Sequence, residues 1–246
     1  MGAEHERLAE LIRESRSTVA LTGAGVSVPS GIPDFRTPGE GLWTKVDPMK
    51  VAHIDAFHGD TKAFWDYYRP RFEALAEKRP NGAHKALAEL ERRGLLDRVV
   101  TQNIDRLHEA AGSKEVVEVH GSIATSSCTG CGHSYPLATV ACLFEGGIAT
   151  CEACRGKVKP DVVLFGEVLP EDAIVAAEEL CASAELLLCV GSSLEVWPVA
   201  GLPELTVGTG GRIAIVTRSE TPYDADAEVR LGGDVVAELA AVLAAI

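Results

Sequence analysis

The chain has 246 residues and a mass of 26.0 kDa, with 46% hydrophobic residues and a formal net charge of −13. That length buries a sizeable core and suits one large domain, or one domain with a small module attached. The acidity excludes a general affinity for DNA, RNA or anionic membrane, each of which would repel the chain at long range, and leaves small molecules and basic peptides as expected partners.

No apolar run approaches the roughly 20 residues that span a bilayer. Residues 1–6 have no signal-peptide pattern, and Glu6 stands where a myristoylation motif needs Ser or Thr. A cytoplasmic protein without a membrane segment is the expectation. Seven cysteines, an odd number without an export signal, argue against a disulfide framework and for a metal site.

In chain order, residues 4–16 place Leu8, Leu11 and Ile12 at helical spacing, predicting a helix that covers the first strand. Residues 18–22, Thr-Val-Ala-Leu-Thr, have the length and β-branched content of a buried parallel strand. The strand ends at Gly23 and Gly25, where backbone N–H groups can approach a pyrophosphate. Val28 stands where the dinucleotide fingerprint has its third glycine, so these residues alone fit a tight turn equally well. Asp34, Phe35 and Arg36 then set a carboxylate, an aromatic face and a guanidinium side by side in a stretch too rich in Gly and Pro for a helix interior. Residues 37–59 show no periodicity and read as a loop that closes over ligand. A helix over 61–78 is expected to be interrupted at Pro70, and a second, capped by Asn81, buries Ala86, Leu87 and Leu90 and stops at Gly94.

Residues 98–101 predict a strand that ends in Gln102-Asn103-Ile104-Asp105. A short helix over 107–111 stops at Gly112, and a strand over 116–119 ends in His120-Gly121. Any one of these polar termini reads equally as turn chemistry. Three strand ends in succession with potential ligands point to a shared cleft.

Residues 122–158 break the alternation of strands and helices. Cys128 and Cys131 form one C-x2-C pair, Cys151 and Cys154 another, with nineteen residues between them. Two such turns complete a tetrahedral zinc site, and four sulfur ligands leave no open position for water, so the metal is structural. Cys142 lies between the pairs, while Cys181 and Cys189 sit in apolar surroundings as unreactive thiols.

Alternation then resumes with a strand over 161–165 closing on Gly166-Glu167, a helix over 170–182 and a strand over 186–190. That strand ends in Gly191-Ser192-Ser193, a turn suited to phosphate or ribose. A helix over 199–207, strands over 212–216 and 229–231, and a helix capped by Asp234 complete the chain. The pattern predicts an α/β fold: a parallel sheet with helices on both faces and a small metal-bearing lobe inserted.

Taken together and in this order, GAGVSVPSGIPDFR, TQNID, HG, the two C-x2-C pairs, FGE and GSS resemble the sirtuins, the NAD-dependent protein-lysine deacylases, over nearly the whole chain. The resemblance implies a Rossmann-like domain (1–36, 80–121 and 159–246), a cofactor loop with the helical part of a small lobe (37–79) and a zinc module (122–158). It implies NAD contacts from Gly23, Ala24, Asp34, Phe35, Arg36, Gln102, Asn103, Ile104, Asp105, Gly191, Ser192 and Ser193. Thr217 replaces an asparagine that holds the adenine ribose in many sirtuins. An acylated lysine of a protein substrate would lie between two strands, one with Val163, Phe165, Gly166 and Glu167, the other Leu194-Glu195-Val196, by β-augmentation.

The chemistry so implied has His120 as general base on a ribose hydroxyl, with Asn103 and Asp105 beside it and Phe35 shielding the site from water. Products would be lysine, nicotinamide and O-acyl-ADP-ribose. Tyr68 and Arg71 match the Tyr-x-x-Arg pair with which one subgroup grips succinyl, malonyl or glutaryl lysine, and Ala52 would widen that pocket. Plain deacetylation, mono-ADP-ribosyl transfer and a non-catalytic NAD-sensing module are the alternatives. The chain is expected to act as a monomer, with no nucleic-acid or membrane partner.

Overall fold

A computed structural model describes residues 2–34, 39, 41–44 and 46–246. Helix α1 (Ala3–Glu14) buries Leu8, Leu11 and Ile12 and leads into β1 (Thr18–Thr22), which is buried at every position. Two short 3-10 turns, Ala24–Val26 and Val28–Ser30, follow the strand. The stretch expected to be a loop contains α2 (Pro48–Val51) and α3 (Ile54–Gly59). Capping explains the difference: Asp47 accepts the Met49 N–H at 3.0 Å, and His53 Nδ1 accepts the Asp55 N–H at 3.1 Å. Phe57, fully buried, then anchors α3.

Helix α4 (Thr61–Ala76) runs through Pro70 without interruption. Pro70 and Asp66, whose carbonyl loses its donor, are both exposed, so water replaces the missing bond. Helix α5 (Gly82–Arg92) starts at Asn81, whose side chain accepts the Ala83 N–H at 2.8 Å. Then come β2 (Arg98–Thr101), α6 (Leu107–Ala111), β3 (Val116–Glu118) and the long β4 (Gly121–Cys128). Beyond β4 lie β5 (Ser134–Pro136), α7 (Leu137–Val140) and the hairpin β6 (Phe144–Glu145) with β7 (Ile148–Ala149). The chain continues through β8 (Val158–Val162), α8 (Glu171–Ser183) and β9 (Leu186–Val190). It ends with α9 (Leu202–Gly208), β10 (Arg212–Val216), β11 (Val229–Leu231) and α10 (Val235–Ala245).

Six strands form one parallel sheet in the order β11-β10-β9-β1-β2-β3. Successive residues face opposite sides of a strand, so both faces bury an apolar layer. Ala20, Val99, Leu186, Leu188, Ala214 and Val216 pack with α1, α5 and α10, whereas Val19, Leu21, Val100, Leu187, Ile213 and Ile215 pack with α8 and α9. The chain builds outward from β1 through β2 to β3, then crosses back to β9 on the other side of β1. That reversal opens a crevice beyond the carboxyl ends of β1 and β9, where open α/β sheets take their ligands.

The smaller lobe has an antiparallel sheet, β5-β4-β8, and its own core of Phe57, Phe64, Trp65, Phe72, Tyr135 and Val158. Trp65 pins α4 to this sheet by donating its indole N–H to the Val158 carbonyl at 3.1 Å. The strand expected over 161–165 instead begins at Val158 and pairs with β4, outside the main sheet. Its burial alternates, with Val158, Pro160 and Val162 inside and Lys159 and Asp161 on the less buried face, the period of a strand covered on one face. Among the described residues no helix is long and apolar enough to cross a membrane.

Candidate active site and metal centre

The turns after β1 and β9 meet backbone to backbone. Gly25 N–H donates to the Gly191 carbonyl at 2.8 Å, and a Cβ on Gly25 would lie 2.7 Å from that oxygen. The glycines are thus required by the approach of two strand ends, a reason the fingerprint reading did not contain. Gly23 N–H is also spent, on the Val190 carbonyl at 3.1 Å. Among the described residues, the amides of Ala24, Ser192 and Ser193 have no backbone acceptor and form the donor set left for an anionic ligand.

Side chains from β2 cross this seam. Gln102 Nε2 donates to Ser192 Oγ at 3.0 Å, and Asn103 Nδ2 donates to the Gly23 carbonyl at 3.1 Å and to Ser27 Oγ at 3.2 Å. Both amide protons of Asn103 are then used, so its Oδ1 is the group left for ligand. Ser27 Oγ donates to Asp105 Oδ2 at 2.6 Å, and the other oxygen of Asp105 accepts the Leu107 N–H at 2.9 Å. Ile104 packs against the small lobe's core and accepts the Ile123 N–H at 3.1 Å.

His120 follows β3, and its Nδ1 lies 3.0 Å from the Gln102 carbonyl. A carbonyl only accepts, so Nδ1 carries the proton and Nε2 keeps a free lone pair. Burial holds the imidazole below its ordinary pKa, which favours the neutral base, although the Gln102 bond opposes this. The backbone turns sharply here: Gly121 has φ of 69°, and a Cβ would fall 2.1 Å from the Asp161 carbonyl. Val163 N–H donates to the His120 carbonyl at 2.9 Å, joining the sheet's edge to the segment after β8.

Beneath these residues lies a buried polar layer that sequence patterns did not single out: Thr22, Ser27, His84, Thr101 and His108. Thr22 Oγ1 donates to Thr101 Oγ1 at 2.8 Å and lies 2.9 Å from His108 Nε2, which is therefore the donor. His108 Nδ1 is buried without a partner. His84 Nε2 stands 3.4 Å from Ser27 Oγ, and the two imidazoles meet edge to face at 4.9 Å. Burial pushes His84 down to about 4 and His108 down to about 3, so both are neutral. A signal existed, since His84 precedes Leu87 by three residues on the inward face of α5.

Other expected site residues are placed unevenly. Phe35 and Arg36 lie outside the described residues. The Asp34 carbonyl accepts the Leu42 N–H at 2.9 Å, and Thr217, at the end of β10, donates its N–H to the Leu231 carbonyl at 3.0 Å. Neither 166–167 nor 194–196 is a strand: Glu167 N–H closes a turn on the Leu164 carbonyl, and Leu194 has φ of 54°. Phe165 is partly exposed, and the Val196 carbonyl accepts the Ala200 N–H at 2.8 Å. Tyr68 stacks on Phe72 in the small lobe. Arg71 is exposed, donates to the Tyr67 carbonyl at 2.6 Å and lies 3.5 Å over the Tyr67 ring. No hydrogen bond joins Tyr68 to Arg71 among the described residues.

The two C-x2-C turns bring Cys128, Cys131, Cys151 and Cys154 together with all four sulfurs within 4.8 Å of one another. Cys128 to Cys154 is 3.4 Å and Cys131 to Cys151 is 3.7 Å, close to the edge of a tetrahedron whose Zn–S bonds are about 2.3 Å. These residues fit zinc. Gly130 N–H and Gly156 N–H point at Cys128 and Cys154, each at 3.4 Å. The Tyr135 hydroxyl accepts the Glu152 N–H and directs its own proton to Cys151 Sγ, both at 3.1 Å, the kind of support that orients a metal ligand.

Cys128→Ser is expected to lose the metal, measured as zinc per chain, and to lower the melting temperature; a folded variant without zinc and with unchanged melting would contradict a structural metal. The buried histidines give a second expectation. Between pH 4.5 and 6.5 the unfolded chain protonates both, while the folded chain keeps them neutral, so stability falls as pH falls. Glu118 opposes this: burial, then Glu109, raises its carboxyl to about 7, so the folded chain holds one extra proton there. The net is about one proton, or roughly 1.4 kcal/mol per pH unit. Urea midpoints should therefore rise from pH 5 to pH 6, more steeply in Glu118→Gln; a flat or falling trend contradicts the neutral pair.

The Sir2 family's sequence profile matches residues 23–198. The chain is 45% identical to NAD-dependent protein deacetylase 1 of Pyrobaculum aerophilum, covering 94% of this chain and 90% of that one. It is 43% identical to the NAD-dependent protein deacetylase of Thermotoga maritima, covering 92% of each. It also superimposes on a Sir2 variant complexed with deacetylated p53 peptide and 3′-O-acetyl ADP-ribose, with a TM-score of 0.92, 41% identity and 97% of each chain covered. With its parallel sheet, its four-cysteine lobe and these relatives, the chain belongs to the Sir2 family, the sirtuins.

Proposed function

We propose that this chain is an NAD-dependent protein-lysine deacylase that removes acetyl groups from lysine and releases nicotinamide and O-acyl-ADP-ribose. The observation that carries the reading is the imidazole of His120, its Nδ1 proton directed at the Gln102 carbonyl, its Nε2 unprotonated and its pKa held down by burial, beside the end of β2 from which Asn103 and Asp105 follow. Its relatives named NAD-dependent protein deacetylases support it. Bound NAD would supply an electrophilic ribose carbon with nicotinamide as its leaving group.

The chain's own residues do the rest. The amides of Ala24, Ser192 and Ser193 would donate to the anionic pyrophosphate, with Gly23 and Gly191 letting the backbone come close. Asn103 Oδ1 faces developing positive charge with an acceptor, and Ser27 and Asp105 hold that amide in place. His120 Nε2 takes the proton of a ribose hydroxyl. Thr217 lies at the adenosine end, and Asp34, Phe35 and Arg36 complete the cofactor loop. Val163, Phe165, Gly166, Glu167 and Val196 form the peptide's side of the cleft. Zinc, held by Cys128, Cys131, Cys151 and Cys154, takes no part in the reaction.

Removal of succinyl or malonyl groups is a second reading, favoured by the Tyr68 to Arg71 spacing and by the packing of both Tyr68 and Ile104 against the small lobe's core. For it, Arg71 must leave the Tyr67 ring, an exposed cation–π contact that costs about 0.5–1 kcal/mol to break. One charge-assisted hydrogen bond to a carboxylate offsets that cost.

Turnover with NAD on one lysine peptide, acetylated or succinylated, with products resolved by mass, tests both readings. Deacetylation is expected. Faster desuccinylation that Arg71→Met abolishes assigns the acid-acyl pair, and equal losses on both peptides exclude it. ADP-ribose found on protein would replace deacylation by ribosyl transfer. His120→Ala should keep NAD affinity by calorimetry and lose about 10²-fold or more in turnover, the usual contribution of a general base; near-normal turnover would remove the role. The acid limb of the wild-type rate profile should lie below about 6.5, the ordinary imidazole value.

A further inference from the structure

Lys159 stands on the less buried face of β8, yet its side chain is only 13% exposed. Its ammonium lies 3.1 Å from the Pro160 carbonyl, 2.9 Å from the Val162 carbonyl and 2.9 Å from Glu167 Oε2. Three donors meet three acceptors, so the charge is satisfied without bulk water. A lysine with no task here would extend its head into solvent and keep its rotamer freedom.

The partner carboxylate is itself committed to backbone. Glu167 Oε2 accepts the Leu164 N–H at 2.9 Å, and Glu167 N–H donates to the Leu164 carbonyl at 3.0 Å, so the turn is closed twice. Its neighbours are tied elsewhere: Val163 N–H to His120, and both backbone groups of Phe165 to Ala52 and Ile54 at 2.8 and 2.9 Å. Among the described residues the N–H and carbonyl of Gly166 take no backbone partner. The segment thus presents open main-chain groups at Gly166 between flanks whose N–H groups are fixed, the form of edge to which an extended peptide adds.

We propose that Lys159 is a positioning residue for the peptide substrate, clamping Glu167 so that the backbone of Gly166 and Glu167 is set for an acyl-lysine peptide before it arrives. This rests on the deacylase reading above. Lys159 touches neither substrate nor NAD; it acts through Glu167. Preorganisation of this kind lowers the cost of ordering the edge on binding.

The test is a double-mutant cycle with Lys159→Met and Glu167→Gln in the zinc-loaded protein, read by fluorescence anisotropy of an acetyl-lysine peptide and by steady-state kinetics. Lys159→Met is expected to weaken peptide binding and raise the peptide KM about tenfold. The KM for NAD and the zinc content should stay at wild-type values. Because both residues act through one turn, the double variant should bind peptide no more weakly than the worse single variant. Unchanged peptide affinity in Lys159→Met, additive losses in the cycle, or an equal rise in the KM for NAD would overturn the clamp. If Lys159→Met fails to fold, unchanged peptide affinity in Glu167→Gln overturns it alone. A wild-type protein that binds peptide without turnover removes the deacylase reading and leaves the clamp to its binding result; one that binds no peptide removes both.

Discussion

The hydrogen bond from Gly25 N–H to the Gly191 carbonyl is the contact on which the site depends, because it closes the seam between the two strands where the sheet's chain order reverses. A side chain on either glycine would push the strand ends apart. With the seam closed, Ser27 and Ser192 come within one hydrogen bond of Asn103 and Gln102, from the strand on the far side of β1. Three strand ends are thereby bound into one surface before any ligand arrives.

Under that surface the polar groups share a set of protons that admits only neutral imidazoles. Ser27 gives its hydroxyl proton to Asp105, so it receives the protons of Asn103 and His84. Thr22 gives its proton to Thr101, so it receives that of His108. A proton added to either ring would place an unpaired charge where no water reaches, at a large desolvation cost. The unpartnered Nδ1 of His108 is a smaller cost, and the arrangement in return orients the Asp105 carboxylate and the Asn103 amide.

The second lobe grows from two separate stretches, one before α5 and one after β3; two contacts hold these stretches together and one joins the lobe to the main sheet. The indole of Trp65 holds α4 to β8, the His120 carbonyl holds the segment after β8, and the residue 165 backbone pairs with Ala52 and Ile54. His120 sits at the joint. Its ring bonds the Gln102 carbonyl at the end of β2 while its own carbonyl accepts from the other lobe, so the two lobes meet at this residue. The cysteine cluster stabilises the far end of this lobe, where the small core by itself is thin.

Much of this was legible in the order of residues alone. The strands of the main sheet, the caps at Asn81 and Asp234 and the four-cysteine pattern rest on short-range periodicity and spacing, which any fold of this chain must respect. The polar strand ends were visible for the same reason. The helices over 48–59 were hidden because their caps, Asp47 and His53, stand in a stretch whose Pro and Gly content imitates loop. The run Asp161 to Phe165 read as a strand of the parallel sheet, yet β8 lies in the other sheet, since strand pairing is decided by partners 30 to 41 residues away, from Cys128 with Val158 to Gly121 with Val162. Arg71 pairs with Tyr67 on its own helix, a choice that i,i+4 geometry permits and no spacing rule selects. Ser27 finds Asp105 across 78 residues, and Lys159 finds Glu167 in a turn beyond its own strand. Local chemistry is determined by sequence; which donor meets which acceptor is determined only when the sheet brings distant segments within 3 Å, the reach of a hydrogen bond.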